Sequence, residues 1–535
     1  MNDLNIISGA IKVNKKAAFH NLGCKVNSYE LDVMRQILRD EGYEEVPFHE
    51  KADVYVVNTC TVTNIADRKS RQMLHRAKKQ NPDAVVVAVG CYVETDPERV
   101  RRDDAVDLVV GNNQKSQIGR ILNSFMKERE EQERENKESD RQEQEKREWD
   151  KEDQDKPEGG SKEKDKTGQD KENSWKWGNE CGMDQDAVFE NMQLTSPGHT
   201  RAFIKIQDGC NQFCSYCIIP YARGRIRSRE KGEILREVKN LVQGGVREIV
   251  LTGIHVSSYG LDFGGPSAGP VRFDPERSAA ALLDLLTDLE AVSGLERIRM
   301  SSLEPRIMTE AFIRSLAEHK KVCPHFHLSL QSGCDETLRR MNRHYTTEEF
   351  AHSVELLRKY YERPAITTDV IVGFPGETEA EFEQTCAFLE KIRFYEIHVF
   401  RYSRRNGTVA AKMKVQIPEP VKALRSDRLL AMTAAQSSAY RKQFMGEEET
   451  LLIEELCDDG EHKYWVGSTS RYVTGAVPAG ISHAQELHSE APQAQGLAEC
   501  VPGTLQKGRF DNRTIQLSRG EAVVLIKQGL NQYDK

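Results

Sequence analysis

The stretch CNQFCSYC, residues 210–217, constrains this chain more than any other. Thiols spaced by three and then two residues can converge on one face of a short loop. Thiolates suit iron–sulfur clusters and zinc alike. A structural zinc site usually completes itself with a second Cys or His pair at zinc-finger spacing, and none follows here. Three cysteines on a four-iron cluster leave one iron open to hold something else.

The surroundings say where such a loop sits. RAFIKIQ reads as a strand leading straight into Cys210, and REIVLTGI, RIRMSSL, HFHLSL, AITTDVIVGF and YEIHVFRY read as later strands. Helical patterns such as AALLDLLTDLEAVSG and TEAEFEQTCAFLEKI lie between most of them. Six strands with helical crossovers fit a partial (β/α)6 barrel over residues 196–433, whose active site lies at the carboxyl ends of its strands. The cysteine loop therefore falls at the mouth.

Residues 15–125 read as a separate parallel α/β unit. AAFHNLG, DVYVVNT and AVVVAVG are strand-like, and a cysteine follows each at once: Cys24, Cys60 and Cys91. SYELDVMRQILRDEG and NIADRKSRQMLHRAKKQ are helix-like. Carboxyl ends of parallel strands line one edge, where ligands bind. The alternative is three buried core cysteines; their shared phase just past a strand favours a common ligand site. Residues 440–528 differ again: ETLLIEEL, KYWVGSTSRYVTGAV, GTLQKGRF and EAVVLIKQ alternate as strands of a small OB-like β-barrel, with 474–505 as a long loop.

Composition bears on partners and compartment. The net charge is −8, but residues 126–174 hold 13 Lys/Arg against 19 Asp/Glu, so six of those eight charges lie in one segment. Trp149 is the only large apolar residue between Lys127 and Ser174, so the segment cannot form a core. It reads as a charged linker, 126–195, disordered or a lone charged helix. The remaining basic residues are clustered, which leaves a nucleic-acid partner open. No apolar run is long enough for a membrane span, and the first residues lack a signal-peptide pattern. A cytoplasmic setting with no membrane follows, and 12 cysteines there point to metal or redox use. Cys181, Cys457 and Cys500 lack metal spacing; Cys323, Cys334 and Cys386 read as core.

The CxxxCxxC spacing after a first barrel strand resembles the radical S-adenosylmethionine superfamily. The resemblance implies that the methionine end of the cofactor binds the open iron of a 4Fe-4S cluster on Cys210, Cys214 and Cys217. One-electron reduction then splits the sulfonium to a 5′-deoxyadenosyl radical, which takes hydrogen from carbon that no side-chain base could deprotonate. GCNQFCSYCIIPYARGRIRSRE, together with NLGCKVN, VVNTC, VGC and YSRRNGTVA, is similar to the methylthiotransferase family. That family implies an amino-terminal methylthiotransferase domain at 15–125, the radical core at 196–433 and a TRAM barrel at 440–528. It also implies a second 4Fe-4S cluster on Cys24, Cys60 and Cys91, which supplies sulfur and accepts a methyl group from a first S-adenosylmethionine. The implied partners are a tRNA anticodon stem-loop, a reduced flavodoxin- or ferredoxin-type electron donor and a sulfur source.

Three branches of the family act on different targets: isopentenyl-adenosine in tRNA, threonylcarbamoyl-adenosine in tRNA, and an aspartate of a ribosomal protein. GCKVN at Gly23–Asn27 is most similar to the threonylcarbamoyl branch. The implied activity is C2-methylthiolation of N6-threonylcarbamoyladenosine at position 37, with the other two targets as alternatives. A non-catalytic, zinc-containing RNA-binding protein is the distant rival.

For S-adenosylmethionine itself, Thr252 and Gly253 resemble the superfamily's site for the amine end, Ser302 and Glu304 are candidates for polar contacts, and Gly373 resembles the backbone contact to adenine. Each also reads as an ordinary turn or strand-end residue. Arg223, Arg225, Arg227 and Arg229 alternate; in an extended segment they would line one face for an RNA backbone, or form a solvated face paired with Glu230 or Glu233. Tyr216 and Tyr221 are candidates for stacking on bases, and Arg401, Arg404 and Arg405 form a second basic cluster. His325 and His327 share a face of one strand, but without a third ligand they read as packing or polar lining.

Overall fold

Runs such as VYVVNT and VVVAVG lack polar alternation, as strands buried on both faces do. In the computed structural model, β1 (Lys16–Asn21), β2 (Glu44–Val46), β3 (Val54–Thr59), β4 (Val85–Gly90) and β5 (Leu108–Val110) form a parallel sheet in the order β2-β1-β3-β4-β5. Every residue of β3 and β4 is buried. Its helices are α1 (Lys25–Asp40), α2 (Asn64–Gln80), α3 (Cys91–Thr95), α4 (Pro97–Arg101) and α5 (Ile118–Glu152). Tyr55, Val57, Leu74, Val86 and Ala88 are at the heart of this core.

The structure describes residues 15–152, 188–196, 200–264, 271–482, 502–518 and 522–527. They belong to two units: Met1–Leu22, Met34–Cys60 and Ala66–Gly182 in one, and Gly23–Val33, Thr61–Ile65 and Met183–Lys535 in the other. The first half of α1 thus belongs to the second unit.

Two observations bear on the expected linker at 126–195: its first part is the charged helix allowed for, and its last residues are not linker. Helix α5 starts on buried Ile118 and Leu122 and continues to Glu152. Its exposed part carries i,i+4 pairs, Arg129–Glu133 at 3.2 Å and Arg141–Glu145 at 3.1 Å, which support a helix that has no core to bury. At the far end Met192 and Leu194 are buried in the second unit. The remaining part, with Cys181, lies outside the described residues, as does Cys500.

In the second unit β6 (Arg201–Asp208), β7 (Arg227–Ser228), β8 (Glu248–Gly253) and β9 (Arg297–Met300) form one sheet in the order β7-β6-β8-β9. β10 (His325–His327), β11 (Ala365–Val372) and β12 (Glu396–Arg401) form another. All pair in parallel except the short β7. Parallel bridges at Ile298–Val322 and Leu303–Leu328 carry the order across from β9 to β10, so six parallel strands make the expected partial barrel. Its helices are α6 (Ile219–Arg223), α7 (Lys231–Gln243), α8 (Pro275–Glu290), α9 (Glu310–Glu318), α10 (Asp335–Arg340), α11 (Thr347–Tyr360), α12 (Glu379–Ile392) and α13 (Glu419–Lys442). Thr346 with Glu349, and Thr378 with Glu381, close capping boxes that start α11 and α12. α13 covers the open edge of β12, where Ile397 N donates to Thr433 Oγ1 at 2.9 Å.

The chain ends in a closed five-stranded barrel of β13 (Glu448–Asp458), β14 (His462–Ser468), β15 (Thr474–Ser482), β16 (Leu505–Gln516) and β17 (Ala522–Lys527). KYWVGSTSRYVTGAV, expected as one strand, is two: the chain turns at Thr469–Tyr472, where Tyr472 has a φ of 63°. The loop expected at 474–505 therefore begins as strand β15. Arg297 and Arg299 of β9 donate to the carbonyls of Thr450, Ser468, Thr469 and Ser470, and Arg299 lies over the Tyr472 ring at 4.0 Å, so this barrel is seated on the core.

Candidate functional site

The cysteine loop leaves β6 through Gly209, at a φ of 69°. A Cβ there would stand 1.8 Å from the Arg225 carbonyl oxygen, so only glycine lets the two segments cross. Backbone bonds then frame the loop: Cys210 N to Gly224 O at 3.0 Å, Ser215 N to Met341 O at 2.9 Å, Cys217 N to Cys214 O at 2.9 Å, and Ala410 N to Ser215 O at 2.8 Å. Phe213, at a φ of 47°, turns the chain between Cys210 and Cys214. Asn342 Nδ2 holds the Phe213 carbonyl at 3.1 Å.

Three half-buried thiols with no hard oxygen ligand among them are a soft donor set, which fits an iron–sulfur cluster. Burial pushes the Cys210 thiol up to about 12 and raises Cys217 as well, so cluster binding must displace protons from the loop. Two donors favour the sulfurs: Gln212 N at 3.5 Å from Cys210 Sγ and Arg343 Nη1 at 3.1 Å from Cys214 Sγ. Arg343 was not anticipated, and its distance of 129 residues from Cys214 explains why no motif announces it.

The expected cofactor contacts all lie at carboxyl ends of strands, with unequal prospects. Thr252 is buried and receives the Ser301 hydroxyl at 3.3 Å, while Gly253 lies against the Gln207 side chain. Gln207 in turn donates to the Asp208 and Gly209 carbonyls at 2.6 and 2.7 Å and accepts from His255 N at 2.7 Å, tying the cluster loop to the end of β8. Ser302 is exposed just past β9. Glu304 is buried, with Oε2 2.7 Å from His255 Nε2 and Oε1 2.5 Å from Arg306 Nε. Burial opposes its charge, yet His255, Arg343 and Arg306 outweigh that and hold the carboxyl well below the usual range. Gly373 donates its N–H to Glu377 Oε2 at 2.6 Å.

Cys60 and Cys91 directly follow Thr59 and Gly90, which are register partners on β3 and β4. Both cysteines are buried at that sheet edge. Gly90, at a φ of 98°, allows the approach, because a Cβ there would lie 2.5 Å from the Thr59 carbonyl oxygen. Cys24 is exposed and opens the turn before α1, in the second unit.

The expected arginine face is overturned. Arg223, Arg227 and Arg229 are buried and act as internal ties. Arg223 forks onto Glu30, at 2.8 and 2.9 Å, and reaches Asn27 Oδ1 at 2.7 Å and Asp208 Oδ1 at 3.2 Å. Lys205 Nζ joins the same group, 2.7 Å from Glu30 and 2.6 Å from Asp208. Arg229 pairs with Glu237 and donates to the Met192 carbonyl at 2.8 Å. Only Arg225 of the four is exposed, and it lies over the Phe213 ring. Tyr216 packs edge-on against Phe374, whereas Tyr221 is exposed. In the second cluster Arg401 and Arg404 are exposed, but Arg405 is buried on Thr61 Oγ1 at 2.5 Å and Asn64 Oδ1 at 2.9 Å.

His325 and His327 do share a face, and the structure supplies the companions that the sequence lacked. Asp369 and His398 come to His327 from β11 and β12, with one ligand atom from each of the three within 4.8 Å of the others. Cys323, Cys334 and Cys386 are buried, as expected of core residues.

Residues 204–389 match the Radical SAM superfamily, and residues 16–111 match a family described as uncharacterized protein family UPF0004. The threonylcarbamoyladenosine tRNA methylthiotransferase MtaB of Bacillus subtilis is 38% identical, over 85% of this chain and 89% of that protein. Its namesake from Aquifex aeolicus is 36% identical, over 82% of this chain and 93% of that protein. A tRNA-2-methylthio-N(6)-dimethylallyladenosine synthase of Clostridium botulinum is 32% identical, over 82% and 86% respectively.

Proposed function

This chain belongs to the radical S-adenosylmethionine methylthiotransferase family, and we propose that its substrate is N6-threonylcarbamoyladenosine at position 37 of tRNA, 3′ to the anticodon, which it methylthiolates at C2. The carrying observation is the loop of Cys210, Cys214 and Cys217 at the carboxyl end of β6, which sets three soft donors on one short, backbone-framed segment. The family's cofactors are S-adenosylmethionine and 4Fe-4S clusters, two per chain. When bound, the first cluster supplies the electron that cleaves the sulfonium of S-adenosylmethionine.

The chain's own residues then take these roles. Cys210, Cys214 and Cys217 hold the first cluster, and Arg343 donates to the Cys214 sulfur. Thr252, Gly253 and Ser302 line the methionine end, Glu304 lies beside them as an ionised acceptor, and the Gly373 carbonyl faces the adenine. Cys24, Cys60 and Cys91 hold the second cluster, from which the sulfur is delivered. Exposed Tyr221, Arg225, Arg401 and Arg404 offer stacking and phosphate contacts to an anticodon stem-loop. The carboxyl-terminal barrel, of the TRAM kind, adds RNA affinity. A reduced flavodoxin- or ferredoxin-type protein supplies electrons and an external source replaces the sulfur, in a cytoplasmic setting. No helix among the described residues is long and apolar enough to cross a membrane.

Anaerobically purified protein should carry about eight irons with matching sulfide. tRNA nucleosides from a deletion strain should lose the methylthio mark on threonylcarbamoyladenosine. Persistence of that mark, with loss of a modified ribosomal aspartate, would sink the reading, as would two zincs and no sulfide.

A further inference from the structure

One face of β10–β12 carries a polar group that neither the cluster loop nor the expected cofactor contacts use. His327 pairs with Thr367 across β10 and β11, and Asp369 pairs with His398 across β11 and β12. Side chains alternate along a strand, so His325, His327, Thr367, Asp369, His398 and Phe400 share this face. Phe326, Ile366, Val370 and Ile397, pointing the other way, are buried in the core.

The group is already ordered. His327 lies 3.0 Å from Thr367 Oγ1 through Nδ1 and 3.2 Å from Asp369 Oδ2 through Nε2. Its ring stacks on that of His398 with centroids 5.7 Å apart. His325, one step deeper, is only 8% exposed, and its Nδ1 has no partner. Lys25 lies within Coulombic reach of Asp369, Arg299 and His325, and makes no salt bridge among the described residues. At the outer end Phe400 is 44% exposed, which leaves the ring open to a stacking partner.

The charges decide what fits. Arg299 is spent on Glu248 and on backbone carbonyls, so one carboxylate, Asp369, is left to face a lysine and three imidazoles. The three ligand atoms of His327, Asp369 and His398 are close enough to suit a divalent cation. However, Lys25 repels one, and the unpartnered Nδ1 of His325 calls equally for a polar ligand. An anionic, hydrogen-bonding substituent satisfies all of them. An alkyl substituent would leave the buried Nδ1 of His325 unpaired. Phe400 and His398 are separated along β12 by about 7 Å. That separation suits a purine ring on the phenyl and a carboxylate at the far end of its N6 substituent.

We propose that Lys25, His325 and His398 receive the carboxylate of the threonylcarbamoyl group, that the His327–Asp369 pair orients it, and that Phe400 stacks beneath the adenine. This subsite rests on the substrate reading given above. It makes these residues the ones that discriminate an acidic N6 substituent from an apolar one.

The test uses the holoenzyme and synthetic anticodon stem-loops bearing N6-threonylcarbamoyladenosine, its methyl ester or N6-isopentenyladenosine. Wild-type enzyme should lose about 100-fold in kcat/KM on the ester. Lys25→Met and His398→Phe should lose a similar factor on the acid, mainly through KM, and little more on the ester. Iron content is measured for each variant, since Lys25 adjoins Cys24; His398 lies on β12, which bears none of the six cysteines, and His398→Phe keeps the test decisive if Lys25→Met loses iron. Equal wild-type activity on acid and ester, or variants that lose the same factor on both, would overturn the subsite. So would one zinc per chain that is retained by wild type and lost in His398→Phe. Activity on the isopentenyl stem-loop alone would overturn the substrate reading, and the subsite with it.

Discussion

Cys210, Cys214 and Cys217 occupy a single short loop, framed by backbone bonds to Gly224, Met341 and Ala410. Cys60 and Cys91 instead follow two different strands, and Cys24 opens a helix whose first half belongs to the other unit. The first trio is therefore set by local loop geometry. Residues near Cys24 and Cys60 are tied down within the second unit by groups far away in sequence, and the ties are arginines. Arg223 grips Asn27 and Glu30, three and six residues beyond Cys24. Arg405 grips Thr61 and Asn64, just beyond Cys60. Both arginines lie in motifs quoted above, IIPYARGR and YSRRNGT, and each fixes a segment that adjoins a cysteine of the second trio.

Breaking the local trio should have the largest effect. Cys214→Ala should reduce 5′-deoxyadenosine formation to background while iron falls from about eight to about four per chain. Breaking a tie should act through stability. Arg223→Met leaves Glu30 and Asp208 buried with too little positive charge, so the loss should be about 3–5 kcal/mol in denaturant titration. Its residual iron should sit mainly on the Cys210 loop; preferential loss from that loop would contradict the division of roles. Arg405→Lys keeps the charge but not the fork onto Thr61 and Asn64, and should cost about 1–2 kcal/mol.

Acid stability sharpens the comparison from the side of the cofactor mouth. Glu304 is held below its ordinary range, so the folded protein binds fewer protons there than the unfolded chain does. The resulting stabilisation is complete above the unfolded value of about 4.3 and is lost as pH falls below it. Glu304→Gln should therefore melt lower than wild type at pH 7, and the gap should close towards pH 3. The smallest effect belongs to the exposed part of α5: excising 133–146, whose side chains are all exposed, should change stability by no more than about 0.5 kcal/mol.

The parallel sheet at 15–125, the six core strands and the placement of the loop were legible, because long apolar runs and helical periodicity depend on local sequence alone. The TAAQSSAYRK end of α13 and the division of β14 from β15 were not, since neither an edge-covering helix nor a turn at Tyr472 leaves a periodic mark. Alternate arginines read the same whether they face water or a buried carboxylate, and the partner of Arg223 is 193 residues away. His327 gained Asp369 and His398 in the same way, through strand register that no single strand reveals.

The crossing of Gly209 under Arg225 ties the cysteine loop to distant parts of the chain. The bonds that frame it, from Cys210 to Gly224, Ser215 to Met341 and Ala410 to Ser215, reach the segments that follow β10 and β12. A change in either of those segments can therefore disturb the cluster loop without touching a cysteine.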